Sequence, residues 1–334
     1  MEYRKLGNSD LKISILGFGC GSVGGLMVKG THKEMLKSVS HALELGINYF
    51  DTARAYGDGL SEIHTGALLR ETNANNVIVG TKIMLSVDDL HGNGIEKAIR
   101  TQIDNSLKRI NREYIDIVYT HNRIRSNENE MIHKNHLDRI IPIFEEYITN
   151  GKIRYWGLNA LGDTAAITEA LTRYHPSAIH TCYNLLNPSS SYSLPVTSSH
   201  HDYKQIMNLA NIRGTGTVGI RILAGGALSG NQNRHPIADQ NVTPIATGKT
   251  FTDDVNESSK YSFLVKEGLV KNLVEASIRF AITNSKLNTA LIGLSSYDQL
   301  EKAIRYTNKG PLPDETMLRI TNEWKNTKKY KDVV

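Results

Sequence analysis

Residues 47–59 read Ile-Asn-Tyr-Phe-Asp-Thr-Ala-Arg-Ala-Tyr-Gly-Asp-Gly, and the patterns on either side of them indicate how the chain folds. The first five residues are rich in large β-forming side chains, a pattern typical of a strand, which ends at Asp51 before a loop that contains Tyr56. An amphipathic helical pattern over residues 33–45 precedes this run and stops at Gly46, and a second helical pattern follows over residues 61–70. A strand without regular apolar–polar alternation between two helices is typical of a parallel sheet that helices cover.

The same alternation continues along the chain. Strands are predicted at residues 13–19, 47–51, 77–82, 115–120, 153–158, 178–183, 217–223 and 289–293, and helices at 33–45, 61–70, 94–109, 137–149, 164–174, 203–211, 266–283 and 297–306. Eight alternating strands and helices predict an α/β fold, a (β/α)8 TIM barrel, with a doubly wound open sheet as the alternative. We expect a single domain over residues 1–334, with long loops near 187–200 and 225–259 and a C-terminal helix or tail at about 313–334.

The composition excludes several classes of protein. Of the 334 residues, 40% are hydrophobic, and 39 basic against 34 acidic residues give a net charge of +5. So small an excess does not predict nucleic-acid binding, and two cysteines are too few for a disulfide scaffold or a multi-cysteine metal site. The N-terminus has no signal-peptide pattern, and the uncharged run at residues 13–28 is broken by glycines. We therefore expect a cytoplasmic protein that binds neither nucleic acid nor a membrane.

Two further features, a glycine-rich motif and the number of histidines, resemble a dinucleotide site and a metal site, but the surrounding sequence supports neither. Residues 19–24, Gly-Cys-Gly-Ser-Val-Gly, match the dinucleotide-binding pattern G-x-G-x-x-G, with Glu44 at the acidic position. A helix should begin at these glycines to bind a pyrophosphate, but residues 26–31 come first, so a glycine-rich loop at a barrel mouth is the better interpretation. The twelve histidines include no H-E-x-x-H pattern, and we expect no metal site.

Ionisable residues stand where three consecutive predicted strands end. Asp51 ends the second strand, Lys82 ends the third, His121 follows the fourth, and Tyr56 lies in the loop after the second. In a parallel barrel these strand ends open on one face, where active sites lie. A phenol has a pKa near ~10, too high for ready proton transfer at neutral pH, and an adjacent ammonium should lower that pKa.

These residue types together predict a proton-transfer site. Asp51 can pair with Lys82, while His121 can hydrogen-bond a carbonyl oxygen and orient it toward Tyr56. Such a site protonates an oxygen as a hydride reaches the neighbouring carbon. Because no side chain donates hydride, the donor must be a cofactor.

At these residues the sequence resembles the aldo-keto reductase family. Residues 50–62, which include Phe-Asp-Thr-Ala and Tyr-Gly-Asp-Gly-Leu-Ser-Glu, are similar to the family's second-strand signature. Residues 79–82, Val-Gly-Thr-Lys, and 115–121, Ile-Asp-Ile-Val-Tyr-Thr-His, are similar to its lysine and histidine motifs. The resemblance covers about residues 3–306. It implies a barrel that uses NADP(H), with NAD(H) as the other possibility. It also implies Tyr56 as general acid, Lys82 and Asp51 as its tuning pair, and His121 as the residue that orients the substrate.

The resemblance also implies a set of cofactor contacts around the barrel mouth. They are Gly19, Cys20, Gly21, Asp51, Asn159, His180, Tyr183, Arg221, Leu223, Gly225, Gly293, Ser295 and Gln299. Some positions depart from the family pattern: Asn159 begins Asn-Ala where many members have Ser-Asn, and His180 replaces a glutamine. Gly293 or Ser295 stands where many members carry Arg or Lys, and Ile220 stands where a tyrosine often stacks on the nicotinamide.

The sequence thus predicts an enzyme, an NADP(H)-dependent oxidoreductase that reduces aldehydes or ketones, or oxidises an alcohol or sugar. Its partner would be a small-molecule substrate. The alternative is a regulatory cofactor-binding barrel that resembles the potassium-channel β subunits. A Rossmann-type short-chain reductase would need Tyr-x-x-x-Lys, and no tyrosine here has lysine four positions further on.

Overall fold

Eight parallel strands form a closed barrel in the computed structural model, which describes residues 1–90, 93–126, 132–133, 136–195, 198–248 and 250–326. The strands are β1 (Tyr3–Lys5), β2 (Lys12–Ser14), β3 (Leu16–Gly19), β4 (Tyr49–Asp51), β5 (Ile78–Ile83), β6 (Ile115–Thr120), β7 (Ile124–Arg125), β8 (Ile132–His133), β9 (Ile153–Asn159), β10 (Ala178–Cys182), β11 (Gly216–Ile220) and β12 (Thr289–Gly293). The helices are α1 (Leu26–Lys29), α2 (His32–Glu44), α3 (Leu60–Glu71), α4 (Gly94–Ile110), α5 (Leu137–Thr149), α6 (Thr164–Tyr174), α7 (Ile206–Ile212), α8 (Phe251–Ser258), α9 (Ser262–Lys266), α10 (Leu273–Thr283), α11 (Tyr297–Thr307) and α12 (Asp314–Asn326).

The barrel closes between its last strand and its first. Its order is β3-β4-β5-β6-β9-β10-β11-β12, and β12 pairs with β3 in the register Gly293 to Gly19. The predicted (β/α)8 barrel is therefore confirmed, and the doubly wound open sheet is wrong.

A short hairpin closes one end of the barrel. The predicted strand at residues 13–19 divides at Ile15, so that β2 pairs with β1 in an antiparallel hairpin and only β3 joins the barrel. Leu6 and Ile13 from the hairpin region pack with Tyr49 and Ile117, two side chains of barrel strands. The chain bends at Ile15, so the apolar residues before the bend pack in the hairpin and those after it pack in the barrel.

Alternate residues of the barrel strands face opposite sides, as the period of a strand requires. Tyr49 and Ile117 belong to the interior cluster, whereas Phe50 and Val118 belong to the larger core that includes residues of the surrounding helices. This alternation directs every second side chain near the carboxyl ends of the strands into the barrel mouth.

Several element boundaries differ from the prediction. The helix predicted at 266–283 begins only at Leu273 as α10, because α9 ends at Lys266 and residues 267–272 are irregular. The Asn272 side chain caps α10 by accepting from the backbone N–H of Glu275. The predicted strand at 217–223 ends at Ile220, because Arg221 takes a left-handed backbone conformation with φ of 57°. The predicted loop near 225–259 contains a 3-10 segment at Ala224–Ser229 and helix α8.

The C-terminal helix predicted at about 313–334 is observed as α12, and residues 327–334 of that prediction lie outside the described residues. Within the described ranges, the helices lack the combination of length and apolar character that a bilayer crossing requires.

Candidate active site

Four predicted site residues converge at the open end of the barrel. Asp51 ends β4, Lys82 lies near the end of β5, His121 follows β6, and Tyr56 projects from the loop between β4 and α3. All four line one cavity with a volume of about 830 Å³. This size lies in the range of small-molecule and cofactor sites.

A buried hydroxyl chain holds the loop that carries Tyr56. Thr52 Oγ1 lies 2.8 Å from Ser61 Oγ, which donates to the carbonyl of Cys20 at 2.9 Å. Glu62, the next residue of α3, accepts from Thr81 Oγ1 at 2.6 Å and from the Arg109 guanidinium. The Ser-Glu pair of the second-strand signature therefore attaches α3 to β5 and α4 and lies away from the cavity wall.

A buried ion pair joins β4 to β5. The Lys82 ammonium donates to Asp51 Oδ1 and, at 2.7 Å, to the carbonyl of Thr52. Burial alone would raise the pKa of Asp51, but the charges of Lys82 and His180 outweigh it and hold that pKa well below its usual value. Burial alone would lower the pKa of Lys82, but Asp51 and Tyr56 outweigh it, so that pKa is raised. Both groups are therefore charged at neutral pH.

The pKa of Tyr56 moves against the expectation from sequence. Burial raises this pKa above 10, and the Lys82 charge, which lowers it, does not outweigh burial and the Asp51 carboxylate. The Lys82 ammonium lies 4.8 Å from the centre of the Tyr56 ring. Lys82 does lower the pKa of Tyr56, as expected from the sequence, but burial and Asp51 raise that pKa by more. Tyr56 therefore keeps its proton at neutral pH.

The His121 imidazole lies edge-on to Tyr56, with 5.6 Å between ring centres and 89° between ring planes. Burial, with smaller contributions from Lys82 and His180, lowers the pKa of His121 to about 3. The ring is therefore neutral at physiological pH. Its Nδ1 atom is buried and has no hydrogen-bond partner in the part of the chain that the structure describes, so Nε2 is the nitrogen that can serve a ligand.

Beneath these four residues lies a second buried layer that the sequence analysis largely missed. Tyr49 Oη donates to Asp51 Oδ2 at 3.0 Å and lies 3.2 Å from Tyr119 Oη. The ring of His180 stacks on Tyr119 at 4.0 Å, and His180 Nε2 lies 3.0 Å from Asp51 Oδ2. Both tyrosines stand two residues before a predicted site residue, in Tyr-x-Asp and Tyr-x-His, so the strand period could have indicated them.

Glycines make room for this layer. A Cβ atom at Gly157 would lie 2.4 Å from the Tyr119 ring, and one at Gly80 would lie 2.8 Å from Tyr49 Oη. Larger residues at either position would displace the tyrosines that contact Asp51 and His180.

Most of the predicted cofactor contacts line the same cavity, and two do not. Those in the cavity wall are Gly19, Gly21, Asp51, Asn159, His180, Arg221, Leu223, Gly225, Gly293, Ser295 and Gln299. The Cys20 side chain is fully buried in the core, where burial raises the pKa of its thiol to about 12. Tyr183 is also fully buried and stacks on Phe280 at 4.9 Å. Both side chains turn away from the cavity because neighbouring residues of an extended segment face opposite sides.

Positive charge dominates the cavity wall. Lys82, Arg221, Arg234, Lys271, Lys302 and Arg305 line it, and Asp51 is the single carboxylate among the lining residues. Lys302 also pairs with Asp298 at 3.0 Å, and Arg305 with Glu301 at 3.3 Å, on the exposed side of α11. Arg234 and Lys271 lie in irregular segments whose sequence contains no signal for them, whereas Asn272 and Glu275 form a recognisable N-cap pattern.

Arg234 attaches the loop after β11 to the loop after β3. Its guanidinium donates to the carbonyls of Gly225 and Asp239 and, at 3.1 Å, to that of Val23, and it lies 5.0 Å from the Phe251 ring centre. The contact joins two loops of the cavity wall that follow strands on either side of β12. No group of three or more potential metal ligands occurs among the residues that could be searched, namely those the structure describes.

Comparisons with known proteins agree with this architecture. A model of the aldo/keto reductase family matches residues 15–325. L-galactose dehydrogenase of Arabidopsis thaliana is 26% identical over 317 residues, which cover 91% of this chain and 87% of that protein. A putative voltage-gated potassium channel subunit beta of Schizosaccharomyces pombe is 26% identical over 334 residues, covering 92% and 90%. The holo form of an aldo-keto reductase from Bacillus halodurans superimposes with a TM-score of 0.71 at 26% identity, covering 97% and 96%.

A closed parallel barrel with this cavity at its mouth is the architecture of a TIM-barrel oxidoreductase. The chain belongs to the aldo/keto reductase family, whose members use nicotinamide cofactors.

Proposed function

We propose that this protein is an NADP(H)-dependent oxidoreductase that reduces a small aldehyde or ketone, or oxidises the corresponding alcohol or sugar. The observation that carries the proposal is the buried Asp51–Lys82 pair, which shares the end of one cavity with Tyr56 and His121. This arrangement supplies a proton and an oxygen-binding group at the same place, which carbonyl reduction requires.

Each of the four residues has a distinct role in the proposal. Tyr56, protonated at neutral pH, gives its hydroxyl proton to the substrate oxygen as general acid, and takes it back as base in the reverse direction. Lys82, held by Asp51, stabilises the phenolate that this transfer leaves behind. The neutral imidazole of His121 hydrogen-bonds the substrate oxygen through Nε2 and orients it toward Tyr56.

A nicotinamide cofactor would supply the hydride. The cavity fits such a group in volume, in its excess of cations for phosphates, and in the N-termini of α10 and α11, capped by Asn272 and Ser296. Asn159, Gly293 and Gln299 would bind it along the barrel mouth.

The preference for NADP(H) rests on charge. Lys302 and Arg305 line the cavity from α11, which follows residues 293–299, where the resemblance locates the loop for the adenosine phosphate. Lys271 adds a third cation to the cavity wall, and an additional 2′-phosphate favours such cations. We expect NADPH to bind several-fold more tightly than NADH at the same ionic strength. Arg305→Met should weaken NADPH binding more than NADH binding, and equal losses for both would contradict a role of this cation in recognising the phosphate.

The substrate we propose is a small carbonyl compound or sugar of the kind implied by the name of the relative L-galactose dehydrogenase. The two cysteines, Cys20 and Cys182, are buried free thiols, and we propose that the protein acts in the reducing cytoplasm.

The test is a panel of aldehydes, ketones and sugars with each cofactor, followed through the absorbance of the reduced nicotinamide. Tyr56→Phe is the matched variant, because it removes one hydroxyl and keeps the ring. We expect kcat to fall by roughly 10²- to 10⁴-fold while the Kd of the cofactor stays unchanged. A variant that retains wild-type kcat would remove Tyr56 from the mechanism.

The second candidate function is a regulatory barrel that binds the cofactor without sustained turnover, and similarity to the potassium channel subunit favours it. The same panel separates the two functions. A regulatory barrel would oxidise at most about one bound NADPH per protein molecule, whereas an enzyme would continue for many turnovers.

A further inference from the structure

His180 lies deep in the cavity wall and contacts groups from two other strands. Its ring stacks on Tyr119 with 4.0 Å between centres and 22° between planes, and its side chain is 1% exposed. Nε2 lies 3.0 Å from Asp51 Oδ2, yet it is not aligned for a hydrogen bond and has no such partner among the described residues. A buried ring nitrogen is thus held beside a carboxylate that Lys82 already neutralises.

The other titratable groups that face His180 do not change charge between neutral and mildly acidic pH. The pKa of Asp51 is well below its usual value, and that of Lys82 is raised. Burial raises the pKa values of Tyr49 and Tyr119 and lowers that of His121 to about 3. Burial also lowers the pKa of His180 from 6.5, but the Asp51 carboxylate opposes this shift. Of these buried groups, His180 is the imidazole that lies beside a carboxylate, so we expect it to take up a proton before His121 does as pH falls.

We propose that His180 makes the cavity's preference between oxidised and reduced nicotinamide cofactor depend on pH. This inference rests on the proposed function, because it requires the cavity to bind such a cofactor. Tyr56, Lys82 and His121 surround the place where proton and hydride must meet, and His180 forms part of the same wall.

The physical basis is that the nicotinamide ring differs in charge between the oxidised and the reduced cofactor. The oxidised nicotinamide is a cation and the reduced one is neutral, so an imidazolium at His180 repels the oxidised form alone. A glutamine, which the family pattern has at this position, carries no titratable proton and could not produce this effect. Charges a few ångströms apart in a partly screened interior interact strongly enough to change the ratio of affinities by about tenfold or more.

The decisive measurement is the ratio of the Kd for NADP⁺ to the Kd for NADPH from pH 8 to pH 4.5. NADPH fluorescence gives one constant, and competition against NADPH gives the other. In the native protein the ratio should rise by about tenfold or more between pH 8 and pH 4.5, because the imidazolium forms as pH falls. In His180→Gln the ratio should be independent of pH, because the adenosine and phosphate groups are common to both forms and cancel.

His235→Gln is the matched control. His235 is another histidine of the cavity wall, in the loop after β11, and it belongs to none of the groups around Asp51. Its substitution should leave the pH dependence of the ratio as in the native protein, even if both dissociation constants change.

A second measurement uses the native protein alone, in case His180→Gln does not fold. Calorimetric titration in two buffers of different ionisation enthalpy counts the protons released on binding. Near the midpoint of the His180 titration, NADP⁺ should release up to about one proton more than NADPH, because the two affinities and the two proton uptakes are linked. Equal release would overturn the inference, as would a constant ratio in the native protein or a pH-dependent ratio in His180→Gln. Failure of both cofactors to bind at any pH would instead contradict the proposed function.

Discussion

The carboxylate of Asp51 is held by side chains from several strands. Lys82 binds one oxygen, Tyr49 donates to the other, and His180 lies 3.0 Å from that second oxygen. A carboxylate this deeply buried is stable only while its charge is compensated. The same compensation keeps Lys82 charged beside Tyr56, so the electrostatics of the site depend on the pair and not on either residue alone.

Lys82→Met should reduce both activity and stability. It keeps the length of the side chain but leaves Asp51 as an unpaired buried carboxylate, which costs about 3–5 kcal/mol of unfolding free energy. The phenolate of Tyr56 also loses its stabilising cation, so the pH profile of kcat/KM should change in shape and fall in height. Chemical denaturation and pH–rate profiles measure the two effects.

Two further variants separate these effects. The double substitution Lys82→Met with Asp51→Asn removes the unpaired charge, so it should recover much of the stability but none of the activity. Lys260→Met breaks an ion pair with Glu257 in which Lys260 is 39% exposed, and it should cost less than about 1 kcal/mol. An unchanged pH profile in Lys82→Met would show that the ammonium does not act on Tyr56.

Helix α3 is attached to the barrel by a buried charge. Glu62 is fully buried and accepts from Thr81 of β5 and from Arg109 of α4, so one side chain joins three elements. Its neighbour Ser61 connects the same helix to the loop that carries Tyr56. The attachment of α3 therefore sets the position of that loop relative to β5.

Glu62→Gln keeps the shape of the side chain and removes its charge, leaving the partly buried Arg109 without a carboxylate. We expect a loss of about 2 kcal/mol in unfolding free energy, measured by denaturant titration. Glu146→Gln is the control, because the Arg100–Glu146 pair is nearly half exposed and solvent screens it, so its loss should change the free energy of unfolding far less. Equal losses from the two substitutions would contradict a special contribution from burial at Glu62.

Two neutral histidines inside the barrel make the folded protein sensitive to acid. The pKa of His121 is lowered to about 3 and that of His180 is also lowered, chiefly by burial, whereas an unfolded chain binds these protons near pH 6.5. A lowered pKa gives stability that is complete above 6.5 and is lost as pH falls toward the folded value. The pKa of His200 is raised despite burial, because Glu257 stabilises its charge, and its contribution is lost instead as pH rises.

The free energy of unfolding should therefore decrease as pH falls below about 6.5, by up to about 1.4 kcal/mol per pH unit for His121 and by a similar slope for His180 until its ring is protonated. His121→Gln should reduce this slope by the equivalent of one proton, as measured by denaturant titrations between pH 6 and 4. The control is His32→Gln, at a side chain that is 64% exposed, and it should leave the slope as it is. An undiminished slope in His121→Gln would mean that this ring is not kept neutral by the fold.

Sequence alone determined the alternation of strands and helices, the closed parallel barrel, and the four residues that meet at its mouth. These features follow from local periods, 2 for strands and 3.6 for helices, and from the rule that parallel strands end on one face. Asp51, Lys82 and His121 could be predicted because each lies at the end of its own strand. The glycine pattern at residues 19–24 could be rejected as a Rossmann site because residues 26–31 separate it from the long helical pattern that begins at residue 33.

Properties that depend on burial and on contacts between distant segments are visible only in the folded barrel. The pKa of Tyr56 is raised because desolvation exceeds the effect of Lys82, and the sequence does not show how deeply a phenol is buried. Cys20 and Tyr183 face the core, while Arg234 and Lys271 reach the cavity from irregular loops that have no period. The stack of His180 on Tyr119 likewise joins residues from different strands. Such contacts arise when the barrel closes, because closure brings side chains together whose separation along the chain carries no local signal.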